Sequence, residues 1–228
     1  MLLSLRIPRN FVVGARDMVL VAVGVSVYGM VFGRLSEQAG LTLVQSMGMS
    51  LITYSGAAQF VALPLLQSGA SLATITLAVL VMSLRHVVMG LSLAPALREQ
   101  PLFRRLLLAY AINDETYAVV SARAAREGFQ PAYMAGAGLV TALAWVAGTW
   151  LGFALGQFLP SPESLGLDFA FTALFIALVV PQIKGAGGLI AMLVAGGVSI
   201  ALTPFLGLGL AIAVSGVLGA LLGGWFER

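Results

Sequence analysis

The sequence predicts an all-α polytopic integral membrane protein, with about six transmembrane helices and two re-entrant or broken helical hairpins. Of its 228 residues, 60% are hydrophobic and only 9% are charged, whereas a soluble domain is about a quarter charged. Several apolar runs approach or exceed the roughly 20 residues that a helix needs to cross the hydrocarbon core. No run alternates polar and apolar residues as a spanning β-strand would. We therefore expect a single transmembrane domain over residues 1–228, surrounded mostly by lipid.

Six apolar segments are interpreted as membrane spans. Proline marks several of their ends, at Pro160, Pro162 and Pro181, because it cannot continue a helix. The last two segments are separated by Pro204 alone and can also be drawn as one broken unit. The predicted spans are Asp17–Gly33, Ser71–Leu97, Pro131–Phe158, Leu165–Val180, Gly187–Leu202 and Pro204–Phe226.

Two further apolar segments are interrupted by small or polar residues. Leu41–Ser68 is broken by Thr53-Tyr54-Ser55-Gly56, and each half is too short to span the bilayer alone. Leu102–Arg126 carries Asn113-Asp114-Glu115 in its middle. We expect each segment to enter the membrane and return to the side from which it came.

Arginine placement predicts the topology, because cytoplasmic loops are enriched in basic residues. The arginines before the first span, at 98–105 and at 123–126 are expected to be cytoplasmic, whereas the connection at 160–168 carries no basic residue and should face out. These expectations are met if both interrupted segments are re-entrant. Both termini of this multi-pass protein are then cytoplasmic.

Composition and motif content argue against several classes of function. The N-terminus carries arginines where a secretory signal would have its apolar core. The chain has no cysteine, which excludes thiolate and disulfide chemistry. The net charge of +3 comes from basic residues beside apolar runs, which favours membrane anchoring over nucleic-acid binding. Phosphate loops, dinucleotide fingerprints and metal-spaced histidine pairs are absent from the sequence. We expect no cofactor, no metal and no nucleic-acid partner.

Glycine is abundant, at 27 residues, and in a bilayer it lets helices approach closely. Gly148, Gly152 and Gly156 lie along one face of the third predicted span. This face is expected to pack inside the protein, or alternatively to dock a second membrane subunit.

The Thr53–Gly56 interruption predicts a broken helix whose second half starts near Ala57. Unpaired backbone groups at membrane depth are tolerated only where protein or a cavity surrounds them. The second half-helix would present N–H groups and a positive dipole end to that cavity, which suits an anionic carboxylate. The alternative is a kinked helix in which Ser55 and Gln59 bond internally. The candidate substrate-binding residues of this segment are Tyr54, Ser55, Gly56, Ala57 and Gln59.

Charged side chains at membrane depth are expensive and are functional candidates by default. Arg85 and His86 lie deep in the second predicted span, and Arg85 needs a partner because it does not lose its proton. Asp114 or Glu115 is its natural counter-ion. The alternative is a cytoplasmic turn in which both carboxylates are solvated. Arg85, His86, Asn113, Asp114 and Glu115 complete the candidate substrate-binding set.

Helical periodicity places polar side chains on two faces. Arg85, Met89 and Ser92 share one face at spacings of four and three, and His86 points about 100° away from it. A polar and aromatic stripe is predicted in the second interrupted segment, at Tyr110, Asp114, Tyr117 and Ser121.

Several stretches that include these candidates occur in one order along roughly residues 14–185, and in that order they resemble the AzlC family of membrane proteins, the larger subunit of branched-chain amino acid exporters. The sequence departs from the family at Ser83, where many members carry asparagine. The matching stretches are Tyr28-Gly-Met-Val-Phe-Gly33, Ser55-Gly-Ala-Ala-Gln-Phe60, Ser83-Leu-Arg-His86, Met89-Gly-Leu-Ser-Leu-Ala-Pro95, Asn113-Asp-Glu-Thr-Tyr-Ala118 and Leu167-Asp-Phe-Ala170 through to Pro181.

The resemblance implies export of L-valine and related branched-chain amino acids across the bacterial inner or plasma membrane, together with a small AzlD-like membrane subunit. A zwitterion with a branched side chain needs an anion site, a cation site and an apolar pocket. The half-helix after Gly56, a carboxylate such as Asp114, and the abundant Val, Leu, Met and Ala residues are suited to supply them. A proton gradient is the expected driving force, with His86, Asp114 and Glu115 as titratable candidates.

Two other classes of function stay open at this point. A non-transporting membrane scaffold or assembly subunit would use its polar groups only to hold helices together. An intramembrane hydrolase would use Ser55 and His86 as a dyad, a weak signal because nucleophile and base must also meet in space. We expect a transporter and not an enzyme.

Overall fold

The computed structural model describes residues 8–158 and 185–226, with three isolated positions between them. These residues contain α-helices, one short 3-10 helix at Gly156–Phe158 and no strand, which confirms the predicted all-α fold. The helices are α1 Arg9–Gln38, α2 Leu43–Ile52, α3 Gly56–Gln67, α4 Leu72–Leu97, α5 Leu102–Tyr110, α6 Asp114–Glu127, α7 Pro131–Leu155 and α8 Gly185–Phe226.

Four helical stretches of the described chain are long and apolar enough to cross a bilayer, so the protein is a polytopic membrane protein. All four match predicted spans. Helix α1 extends past both ends of Asp17–Gly33, and its N-terminal extension contains Arg9 and Arg16, which are good helix formers. The predicted span Leu165–Val180 lies outside the described ranges. The four stretches are Arg9–Gln38, Leu72–Leu97, Pro131–Leu155 and Gly185–Leu206.

Helix α8 contains Pro204 and does not run straight. In a straight helix, Ala191 and Gly219 would be about 42 Å apart. A β-carbon placed on Gly219 would instead lie 2.7 Å from the Ala191 carbonyl oxygen, and one on Gly223 would lie 2.7 Å from the Ala191 β-carbon. The two arms of α8 therefore pack against each other. The structure thus has the alternative arrangement, in which the last two predicted spans form one unit broken near Pro204.

Both predicted interruptions are present. Helices α2 and α3 are separated at Thr53–Ser55, and α5 and α6 at Ala111–Asn113. A capping box between Thr42 and Gln45 fixes the start of α2. Each interrupted segment is thus a pair of short helices, and its re-entrant placement in the membrane stays a prediction.

The chain divides into two compact units. Unit one is Met1–Gly56 with Ser83–Gln157, and unit two is Ala57–Met82 with Phe158–Arg228. Unit two has a small apolar cluster of Val61, Leu65 and Ala78. Unit one has a larger cluster formed by Leu93, Leu97, Leu108, Ala111, Ile112, Val120, Tyr133 and Met134.

Glycines bring α1 and α7 of unit one into backbone contact. A β-carbon on Gly152 would collide with the Met30 carbonyl of α1, and one on Gly148 would collide with the Ser26 carbonyl. In the reverse direction, a β-carbon on Gly33 would collide with the Thr149 carbonyl of α7. The predicted glycine face is therefore an internal packing surface, and its interpretation as a docking face for another subunit is wrong.

A polar cluster ties α1, α6 and α7 together in unit one. The Asp17 carboxylate accepts hydrogen bonds from the Tyr133 hydroxyl at 3.0 Å and from Arg123 at 3.3 Å. The Arg123 guanidinium also lies 4.7 Å above the centre of the Tyr133 ring. A cation between a carboxylate and an aromatic face is stabilised by both, so this cluster fixes α6 against the α1–α7 pair.

Candidate functional site

The Arg85 and Asp114 side chains form an ion pair between α4 and the first turn of α6. Arg85 Nη1 lies 2.9 Å from Asp114 Oδ2, and the two side chains are only 24% and 30% exposed. The predicted pairing of Arg85 with one of two carboxylates is confirmed, with Asp114 as the partner. A turn with solvated carboxylates therefore does not describe Asp114. Glu115 is partly buried and has no ion pair among the described residues.

The two polar faces predicted from helical periodicity meet. Ser92 of α4 donates a hydrogen bond to the Tyr117 hydroxyl of α6 at 2.9 Å. Along their helices, Ser92 lies seven residues after Arg85 and Tyr117 lies three residues after Asp114. The face of α4 that holds Arg85 and Ser92 thus runs along the face of α6 that holds Asp114 and Tyr117.

Tyr110 does not belong to the stripe that we predicted. The helix is interrupted after Tyr110, so the 3.6-residue period does not continue from α5 into α6. The Tyr110 hydroxyl instead donates to the Leu51 carbonyl at the end of α2, at 2.5 Å.

Tyr54 is held in a conformation that is unfavourable for tyrosine. Its φ is 42°, and the structure describes no other non-glycine residue with a positive φ; such a residue costs about 1–3 kcal/mol. Its hydroxyl accepts from Asn113 Nδ2 at 3.1 Å and donates to the Gly138 carbonyl at 3.4 Å. Its ring stacks on Tyr110, with centroids 4.9 Å apart. These contacts over-determine the conformation and lock the two helix breaks together.

Ser55 is a buried hydroxyl without a partner. The residue is 4% exposed, and its Oγ has no hydrogen bond within the described parts of the chain. An unsatisfied buried polar group costs about 1–3 kcal/mol, so such a group is unusual in the absence of a ligand or water. The predicted alternative, in which Ser55 bonds internally, is not what the structure has.

Gly56 starts α3 directly after this hydroxyl. A β-carbon at Gly56 would lie 2.9 Å from the Trp145 indole of α7, so a larger residue at this position would displace that ring. The next predicted residues, Ala57 and Gln59, are buried and belong to unit two.

His86 bonds within its own helix, and Asn113 has a local bond in addition to the one with Tyr54. His86 Nδ1 lies 3.3 Å from the Ser83 carbonyl of the same helix, and Ser55 Oγ has no bond to it. The Ser55–His86 dyad that a hydrolase would need is therefore not assembled. Asn113 caps α6, since its Oδ1 accepts from the Thr116 N–H at 2.8 Å.

Sequence reasoning missed a row of hydroxyls on α7. Thr149 lies 2.8 Å from the Ser50 hydroxyl of α2, and Thr141 lies 3.3 Å from the Thr116 hydroxyl of α6. All four residues are buried. The signal was present, because Thr141, Trp145 and Thr149 recur every four residues in an otherwise apolar helix.

Unit one therefore brings together an ion pair, a second carboxylate and an orphaned hydroxyl, positioned by two helix breaks. A guanidinium suits a carboxylate ligand, and a carboxylate suits an ammonium ligand. Among the described residues, no three carboxylate or imidazole groups lie close enough to hold a metal ion.

Comparisons with known proteins support the resemblance. Residues 20–159 match the family model described as AzlC protein. An uncharacterized membrane protein of Helicobacter pylori is 32% identical over 72% of this chain and 72% of its own length. Inner membrane protein YgaZ of Escherichia coli is 29% identical over 77% of this chain and 74% of its own.

A relative whose name states a function is more distant. Branched-chain amino acid transport protein AzlC of Bacillus subtilis is 26% identical, over 68% of this chain and 60% of its own length. No solved structure matches the chain. The family model nevertheless covers more than half of the sequence, through both helix breaks and the Arg85–Asp114 pair, and so this chain belongs to the AzlC family.

Proposed function

We propose that this chain is the large membrane subunit of a secondary transporter that exports branched-chain amino acids, such as L-valine, from the cytoplasm. Membership of the AzlC family supports a role in membrane transport. The substrate class is taken from the name of the Bacillus subtilis relative. We further propose that the protein lies in the bacterial inner or plasma membrane with both termini cytoplasmic, and that it works with a small AzlD-like membrane subunit.

The observation that carries the proposal is the Arg85–Asp114 pair beside the α5–α6 break. A charged residue that faces the interior of a membrane protein marks a substrate or ion pathway by default. An amino acid is a zwitterion, so its two charged groups are able to replace the contact between Arg85 and Asp114. Its carboxylate would bind Arg85 while its ammonium group binds Asp114, and no net charge would be added to the site.

Further groups are suited to complete the site. Glu115 supplies a second acceptor for the ammonium group or for a proton, since its carboxylate is not paired within the described residues. Met89 and Tyr117 pack against the adjoining apolar cluster and would contact an aliphatic side chain. Proton coupling through Asp114, Glu115 or His86 belongs to this proposal.

Valine flux in proteoliposomes tests the proposal directly. The purified chain is reconstituted with and without the AzlD-like subunit, and efflux of radiolabelled L-valine is measured with and without an imposed proton gradient. Arg85→Gln should abolish flux, because the substrate carboxylate loses its partner.

The matched control is Arg98→Gln, which removes an exposed arginine that has no ion pair among the described residues. Full flux in the Arg85→Gln variant would contradict the site. Absence of valine flux from the complete complex would favour the alternative function, a scaffold or assembly subunit.

A further inference from the structure

Two consecutive parts of the chain have the same order of elements at a constant spacing. Helices α2, α3 and α4 are followed by α5, α6 and α7, and each set is a short helix, a break, a second short helix and a long helix. The starts of α2 and α5 are 59 residues apart, those of α3 and α6 are 58 apart, and those of α4 and α7 are 59 apart. The sets end at Leu97 and Leu155, 58 residues apart. We call residues 43–97 copy one and residues 102–155 copy two.

The two breaks contact each other through residues that are separated by this same spacing. Tyr54 and Asn113 are hydrogen-bonded at 3.1 Å and are 59 residues apart. Leu51 and Tyr110 are hydrogen-bonded at 2.5 Å and are also 59 residues apart. Two copies of a motif bring equivalent positions into contact where a two-fold relation holds, as in an isologous interface. A chance contact between unrelated segments has no reason to select the repeat spacing twice.

The distribution of arginines indicates that the copies have opposite orientations. The connection before copy two contains Arg98, and Arg104 and Arg105 lie in the first turn of α5. Before copy one the nearest basic residue is Arg34, which is paired with Glu37, and residues 35–56 contain none. Basic connections are cytoplasmic, so the two copies start on opposite sides. Each copy then crosses the membrane once, with its interrupted pair returning to its own side. Inverted repeats with broken helices that meet at the substrate are a known solution for transporters.

We infer that copies one and two are inverted repeats, and that Tyr54 and Asn113 are positioning residues that hold the two breaks together rather than ligands of the substrate. The second half of this inference rests on the proposed function, whereas the inverted arrangement does not. Each polar atom of the two side chains already makes a hydrogen bond within the protein. The single Tyr54 donor is used on Gly138 and its oxygen accepts from Asn113, whose Oδ1 is used on Thr116.

The predicted site residues then fall into a part that holds the two breaks together and a part that binds the substrate. Tyr54 and Asn113 form the junction of the two breaks. Copy one leaves the orphaned Ser55 hydroxyl beside this junction, and copy two places the Asp114 carboxylate beside it. When two inverted copies exchange conformations, the positions that lie between them move least. The Tyr54–Asn113 junction therefore keeps the Ser55 hydroxyl and the Asp114 carboxylate near the substrate throughout the transport cycle.

The first experiment measures the orientation of the copies and needs no substrate. The chain has no cysteine, so Gln38→Cys and Glu99→Cys each create a single label site, just before copy one and just before copy two. Both positions are exposed. In intact cells, an impermeant maleimide should label only the Gln38 site, and the Glu99 site should become reactive after permeabilisation. Labelling of both sites from the same side would overturn the inverted arrangement.

The second experiment separates a positioning role from substrate contact. Tyr54→Phe keeps the ring stack and removes the hydroxyl, and Asn113→Ser keeps the helix cap and removes the amide. Tyr54→Phe breaks the bond to Asn113 and also the bond to the Gly138 carbonyl, whereas Asn113→Ser breaks only the bond that the two residues share. We therefore expect the double variant to lose no more Tm than Tyr54→Phe alone. With valine as substrate, the single variants should keep the KM and lose Vmax.

The control is Tyr133→Phe, whose hydroxyl bonds to Asp17 elsewhere in unit one, and its Tm loss should add to that of Asn113→Ser. Additive losses for Tyr54 and Asn113, or a raised valine KM in either single variant, would overturn the positioning role. A complex that moves no valine contradicts the proposed function instead, and the labelling and Tm results then decide the present inference.

Discussion

The Arg85 guanidinium on α4 is paired with the Asp114 carboxylate at the start of α6, at a distance of 2.9 Å. The pair lies next to the residue that joins the two helix breaks, since Asn113 both precedes Asp114 and bonds to Tyr54. Charge, backbone interruption and inter-helix contact therefore meet within a few residues. A change at either charge is expected to alter both folding and transport.

Removing one member of this pair should do more harm than removing both. Arg85→Ala or Asp114→Ala leaves the other charge partly buried without a partner, which can cost about 3 kcal/mol for a pair of this kind. We expect each single variant to lower the Tm and the folded yield, and the double variant to recover folding but not valine flux. Glu115→Ala is the control and should leave folding unchanged, because Glu115 has no ion pair among the described residues. A double variant as damaged as the sum of its singles would mean that the pair does not act as a unit.

The Ser55 hydroxyl should matter to the substrate and not to folding. Because its Oγ has no hydrogen bond within the described chain, Ser55→Ala removes an unsatisfied group and should leave the free energy of unfolding unchanged or raise it by about 1 kcal/mol. Valine affinity should fall if the hydroxyl serves the transported molecule. Ser36→Ala is the matched control, because that buried hydroxyl donates to the Gly33 carbonyl at 2.8 Å and its loss should lower stability. If Ser55→Ala lowers the Tm while valine affinity is unchanged, the hydroxyl has a structural partner.

The interruptions of the helices could be predicted from the sequence because their signals are local. Small and polar residues inside an apolar run mark both breaks, and the Asn113 side chain caps the start of α6. The charge pair followed from the cost of an isolated arginine at membrane depth. The choice of Asp114 over Glu115 did not follow, because the two side chains point about 100° apart on a helix. Only the orientation of α6 against α4 decides between them.

Contacts between distant segments were not accessible from the sequence for a related reason. The glycines of α7 predicted a close approach but not the identity of the helix that approaches, since Gly148 and Gly152 fit any backbone equally well. Likewise, nothing in the local sequence connects Tyr54 with Asn113. Their relation appears only when the element boundaries show the constant spacing of the two copies.

The topology can be tested at positions outside the described ranges. We expect Ser4 to be cytoplasmic and Ser164 to be outside, because arginines follow Ser4 and the connection around Ser164 has no basic residue. Single cysteines introduced at these positions are labelled in intact cells with an impermeant maleimide. A labelled cysteine at Ser4 together with an unreactive one at Ser164 would reverse the orientation of the whole chain.

Gly152 on α7 is expected to tolerate no larger residue. Its α-carbon faces the Met30 carbonyl of α1 so closely that even a single β-carbon would collide with backbone atoms. Backbone cannot move aside as the end of a side chain can, so Gly152→Leu forces α1 and α7 apart and should cost at least the 1–3 kcal/mol or so of an overpacked core. We expect the isolated chain to lose Tm and folded yield.

The matched control for Gly152→Leu is Gly24→Leu on α1, where no heavy atom lies within 4 Å of the added β-carbon. This variant should keep the Tm and gain slightly in helix propensity. The AzlD-like subunit is co-purified with both variants, and any loss of it from Gly152→Leu should accompany the loss of folded protein. An isolated Gly152→Leu chain with an unchanged Tm that no longer binds the small subunit would mean that this face docks the partner after all. Because the α1 backbone already occupies this face, we expect Gly152→Leu to lower the Tm of the isolated chain.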